Sequence, residues 1–103
     1  MTSITNERIL EYEALHEQVK DRTTLAYLDL LNAMRVEYEE LGEEEKCMNI
    51  CNEIVKLILT KDFKRDNIDI ILLATYDTRA RLGDFRSYCI ALEWNRPIEK
   101  QFF

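Results

Sequence analysis

The chain has 103 residues, 47% hydrophobic and 33% charged, with 2 glycines, 1 proline, 1 histidine and a formal net charge of −6. That length suffices for one domain and is too short for two separate cores. Gly42 and Gly83 alone supply neither the turns of a sheet protein nor a glycine-rich phosphate or dinucleotide loop, and one histidine excludes a His-Glu-x-x-His zinc site.

The first predicted helix runs from about residue 6 to residue 19, with Ile9, Leu10, Leu15 and Val19 as its apolar stripe and Glu7, Glu11, Glu13 and Glu17 in water. Thr5 or Asn6 serves as the cap, and the early glutamates suit the positive end of the helix dipole. His16 lies beside the stripe and reads as a boundary residue rather than a metal ligand. A second helix starts at Asp21 or Thr23 and ends at Gly42, a residue suited to the left-handed closing position. Leu25, Leu28, Leu31 (or Ala33), Met34, Tyr38 and Leu41 recur at helical spacing, and Tyr27, Leu30 and Val36 widen the face toward a second neighbour.

Glu43, Glu44 and Glu45 open the third helix, where carboxylates complement the dipole. As a cation site they are ill placed, because successive helical side chains diverge by about 100°. Cys47, Ile50, Cys51, Ile54, Leu57 and Ile58 form the buried face, with the two cysteines one turn apart. Cysteine is a small, commonly buried residue and no second pair completes a zinc set, so these two read as core. A polar break follows at 61–67, with Phe63 pinning it to the core. The run Ile68-Asp-Ile-Ile-Leu-Leu-Ala-Thr-Tyr could form a strand, but no second strand is visible to pair with it. As a helix capped by Asp66 and ended by Gly83 it is apolar nearly all round, the mark of a central helix. Asp84 caps a short fifth helix with Phe85, Tyr88, Cys89 and Leu92 inward, which stops before Pro97. The expected fold is an all-α, single-domain bundle of about five helices over residues 1–94, with an extended tail at 95–103.

Charge is uneven along the chain. Residues 1–60 hold 6 Lys/Arg against 13 Asp/Glu, whereas residues 61–103 hold 8 against 7. Direct nucleic-acid binding is therefore expected to be weak or absent and confined to the second half. The odd cysteine count and the lack of basic and apolar leader regions in residues 1–7 point to a reducing cytoplasm, with no membrane partner. No cofactor, metal or catalytic residue is expected, since no carboxylate pair sits with a nucleophile and Cys89 has no local base.

The segment Ser87-Tyr-Cys-Ile-Ala-Leu-Glu-Trp-Asn-Arg-Pro-Ile-Glu-Lys-Gln-Phe-Phe resembles the N-terminal region of phage terminase large subunits, the packaging motors of tailed bacteriophages. Their pattern is a helical lead segment followed by Asn-Arg-Pro-x-Glu-Lys-x-Phe, which Asn95, Arg96, Pro97, Glu99, Lys100 and Phe102 match. Lys61-Asp-Phe-Lys-Arg-Asp-Asn-Ile-Asp-Ile-Ile-Leu-Leu-Ala is similar in register, and residues 1–60 carry no motif of the family. The family's Pro-Arg-Arg stretch, Walker A loop, Walker B acids and nuclease carboxylates do not occur in this sequence, so none of its catalytic residues carries over. The resemblance implies a non-catalytic lead segment that contacts the small subunit, the portal or the motor's own ATPase domain.

Two candidate surfaces follow. The basic and aromatic one comprises Arg79, Arg81, Arg86, Trp94, Arg96, Lys100, Phe102 and Phe103, residue types favoured in binding hot spots. The acidic one comprises Glu37, Glu39, Glu40, Glu43, Glu44 and Glu45, and suits a free-standing acidic regulator or DNA-mimic-like inhibitor of a basic partner.

Overall fold

The computed structural model describes residues 3–65 and 67–83, with side chains from Glu7 onward. The described residues form four helices and no strand: α1 (Ser3–Gln18), α2 (Leu25–Leu41), α3 (Glu44–Thr60) and α4 (Ile68–Arg81). The count among them is four rather than about five. The fifth helix expected from Asp84, the tail and the Asp66 cap lie outside the described residues.

Local chemistry sets each reversal. Asp21 does not cap α2 but accepts from the Thr23 backbone N–H at 3.1 Å and its hydroxyl at 2.5 Å, which turns the chain out of α1. Thr24 is the cap, with extended backbone and its Oγ1 accepting from the Tyr27 N–H at 3.1 Å. Gly42 closes α2 at φ 74°, where the Gly42 N–H bonds the Glu39 carbonyl at 3.2 Å and the Glu43 N–H bonds the Tyr38 carbonyl at 3.0 Å. Glu44 and Glu45 occupy the first turn of α3. In the α3–α4 connection, Phe63 packs on the core, and the Arg65 guanidinium grips Asp29 of α2 at 2.6 and 3.0 Å.

The bundle is built around α2, which packs against each of the other three helices. α3 packs on α2 and α4, while the α1 backbone stays more than 8 Å from that of α3 and of α4. Leu28, Leu31, Ile54, Cys47 and Cys51 are fully buried at the α2–α3 seam. All six residues expected on the inner face of α3 are buried, the two cysteines included.

One expectation needs correction and one is met in part. The run from Ile68 is helical, with Ile68, Ile71, Leu72, Thr75 and Tyr76 inward and Ile70 69% exposed, and among the described helices it packs on α3 and α2. Among those helices α2 has the most neighbours, and its broad buried face serves both sides. On α1 the inward residues are Ile9 and Tyr12, with Val19 inward just past its end, while Leu10 and Leu15 are 63% and 51% exposed. At about 100° per residue, positions 9, 12, 13 and 16 share one face, and 10 and 15 flank it on either side. Glu13 and His16 on that face find hydrogen-bond partners on α2, and this fixes the rotation of the helix.

Candidate functional site

Tyr27 and Tyr38 lie eleven positions apart on α2, so they face nearly the same way, three turns and about 16 Å apart. Both are buried. The Tyr27 hydroxyl donates to Glu53 Oε2 of α3 at 2.5 Å, and the Tyr38 hydroxyl donates to Glu13 Oε2 of α1 at 2.6 Å. One tyrosine thus reaches to each flank. Burial first, and then the adjoining carboxylate, push both phenols above their ordinary value, Tyr27 to about 12.

His16 Nε2 lies 3.1 Å from the Tyr27 oxygen, and the two rings stack with centroids 5.7 Å apart. Since the phenol hydrogen is committed to Glu53, the His16 contact requires an N–H on Nε2 that donates to Tyr27. Arg22 also donates to that oxygen at 3.3 Å, bonds the His16 carbonyl at 2.9 Å and sits 5.4 Å from the Tyr27 ring centre.

Between α1 and α3, over this row, lies a cleft of about 390 Å³ lined by Glu13, His16, Glu17, Met34, Tyr38, Lys46, Asn49, Ile50 and Glu53. A second cavity of about 330 Å³ shares Glu13, Tyr38 and Lys46 with it and runs on to Ile9, Leu10, Leu41 and Glu43. Together they make one groove with the buried Met34, Ile50 and Tyr38 at its floor and carboxylates along its walls. It presents oriented acceptors, one imidazole and one lysine. No group of three or more His, Cys, Asp or Glu among the described residues is placed to hold a metal ion.

One residue of each sequence-derived surface meets one of the other. Arg81 Nε and one terminal nitrogen donate to the two carboxylate oxygens of Glu39, each at 2.9 Å, and the other terminal nitrogen pairs with Asp77. These partners raise the Arg81 pKa, and Arg81 in turn holds the Glu39 carboxyl below the usual range. Arg79 lies over the Tyr76 ring at 5.8 Å. Arg86, Trp94, Arg96, Lys100, Phe102 and Phe103 lie outside the described residues. In the acidic set, Glu37 is not a surface residue. It is 5% exposed, with Oε1 3.6 Å from Arg8 and Oε2 buried without a hydrogen-bond partner. Glu40, Glu43, Glu44 and Glu45 are exposed as expected.

Beneath that junction, Arg35 is buried and donates to Thr78 Oγ1 at 2.7 Å and to Asn32 Oδ1 at 3.0 and 3.2 Å. Cys47 Sγ donates to the Arg35 carbonyl at 3.5 Å. Burial pushes both thiols up, Cys51 to about 12, so at neutral pH they are packing groups and not thiolate nucleophiles. Sequence reasoning missed the groove, although the eleven-residue spacing of Tyr27 and Tyr38 was a legible signal. No helix of the described residues is long and apolar enough to cross a membrane. No protein-family model matches the chain, and no curated protein or solved structure was found to resemble it significantly.

Proposed function

We propose that the chain is a non-catalytic helical module for protein–protein interaction. The observation that carries this reading is the α1–α3 groove, a solvent-open trough walled by oriented carboxylates, while the thiols lie buried at another seam. Through Asn95, Arg96, Pro97, Glu99, Lys100 and Phe102, we place the module at the N-terminal part of a phage DNA-packaging terminase large subunit. Its partner is then the small subunit, the portal or the ATPase domain that follows in that family, and its place of work the cytoplasm.

The test is capture by the immobilised full chain. It is offered, in turn, the small subunit, portal and ATPase domain of a terminase whose large subunit carries the same Asn-Arg-Pro-x-Glu-Lys-x-Phe tail. Saturable capture of one of them is the expected result, and loss of capture on deleting residues 94–103 assigns the contact to the tail. Capture of none removes the packaging-motor setting. A second reading, an acidic regulator of a basic partner, is favoured by the carboxylates Glu13, Glu17, Glu43 and Glu53 along the groove. It requires a basic protein to be captured where the terminase components are not.

A further inference from the structure

We propose that the cavity between the α1–α2 turn and the C-terminal half of α3 binds a small phosphomonoester through Arg22, Lys56 and Lys61. This site is separate from the α1–α3 groove and stands or falls independently of the interaction-module reading.

The cavity measures about 330 Å³, and its charged lining is Arg22 of the turn, Glu53 and Lys56 of α3, and Lys61 at the end of that helix. These cations are the ones that the rest of the protein leaves over. Asp and Glu outnumber Lys and Arg by 20 to 14 in the chain, so an exposed cation ordinarily finds a carboxylate. Arg8, Lys46, Lys64, Arg65 and Arg81 each lie within 4 Å of one. Among the described residues, the exposed Lys20, Arg22, Lys56 and Lys61 have none that close, and three of these four line this one cavity. Asp21, on which Lys61 acts at longer range, has its Oδ1 engaged by the Thr23 N–H and hydroxyl.

Arg22 is held in place before any ligand arrives. One terminal nitrogen donates to the His16 carbonyl at 2.9 Å and the other to the Tyr27 hydroxyl at 3.3 Å, with the guanidinium 5.4 Å from the Tyr27 ring centre. Charge then selects the ligand. Three cations against Glu53, together with roughly half a negative charge at the C-terminal end of α3, leave about +1.5. A phosphomonoester carries about −1.5 to −2 at neutral pH and offers three acceptor oxygens, one for each cation. Its arrival also relieves the repulsion of cations gathered around one space. The volume lies near the lower end of the range for small-molecule sites, about 300–1,000 Å³, which suits a phosphate on a short carbon chain.

The experiment titrates the full chain with glycerol phosphate at constant ionic strength and follows amide and side-chain NMR shifts. Saturable binding is expected, with the largest shifts at Arg22, Lys56 and Lys61. Dimethyl phosphate, the same centre with a single charge, should bind at least about tenfold more weakly. Lys56→Gln combined with Lys61→Gln should weaken glycerol phosphate by about tenfold or more. Lys20→Gln combined with Lys64→Gln removes the same charge outside the cavity and should change affinity by less than about twofold. Glu53→Gln keeps an oxygen for Tyr27 and should tighten binding a few-fold, an effect that misfolding would not produce. No saturable binding up to about 10 mM glycerol phosphate would overturn the site. So would equal binding of dimethyl phosphate, or equal weakening by the two double variants. A phosphoserine peptide that binds more tightly than glycerol phosphate would overturn the small-molecule assignment and make the phosphate part of a protein.

Discussion

The two flanks of α2 are held by different chemistry. Toward α3, Leu28 and Leu31 meet Cys47, Cys51 and Ile54 in a seam whose members are fully buried. Toward α1, the joints are hydroxyl–carboxylate and imidazole–hydroxyl contacts, with Ile9 the one buried apolar residue among the α1 side chains described. A seam of methyl groups is strong and has no alternative partner. A seam of hydrogen bonds at the edge of water is weaker and can exchange partners. The tightly packed seam and the exchangeable one thereby fall on opposite sides of one helix.

The largest effect should come from breaking the dry side. Ile54→Ala is expected to lower unfolding free energy by about 3 kcal/mol, through lost burial and a residual cavity. Ile9→Ala should cost less, about 2 kcal/mol, and its effect should concentrate in α1. Urea unfolding with site-resolved hydrogen exchange separates the two. If Ile9→Ala loosens α3 amides as much as α1 amides, the distinction between the flanks is lost.

A middle-sized effect sharpens the comparison by pH. The fold favours the neutral forms of Cys51 on the dry side and Tyr27 on the wet side, both raised to about 12 from ordinary values of 9.0 and 10.0. Their contribution is complete below those ordinary values and is lost as pH climbs toward about 12, because the unfolded chain releases these protons first. The urea midpoint should therefore fall steadily above about pH 9, and Tyr27→Phe should make the upper part of that fall shallower. A midpoint that stays level across this range would contradict the burial of both groups. The smallest effect concerns α4: Arg81→Gln should cost about 0.5–1 kcal/mol, less at high salt, as a partly exposed bidentate pair is lost.

The dry side was legible in the sequence because its information is local. Six apolar residues of α3 recur at helical spacing, and Gly42 marks the end of α2 with a left-handed conformation that glycine adopts freely and other residues rarely do. The wet side was not legible in the same way. Glu13 looks like a solvated helix residue until Tyr38, 25 positions later, is placed beside it. Once polar partners capture the inner face of α1, apolar spacing misleads, and Leu10 and Leu15 turn outward. Glu37 repeats the lesson inside α2, where a residue assigned to a charged surface is buried beside Arg8. On α4 the apolar residues cover more of the helix than its described neighbours do, and Ile70 is 69% exposed.

The pairing of Arg81 with Glu39 has a consequence for genetics. One residue comes from the basic set and the other from the acidic set, and their side chains share two hydrogen bonds. Removing Glu39 releases a cation, and removing Arg81 releases an anion, so each substitution changes both surfaces. Phenotypes at these two positions are therefore coupled and will show epistasis. Agreement between them would count as one observation about a shared joint, and separate scans of the two surfaces should leave this pair intact.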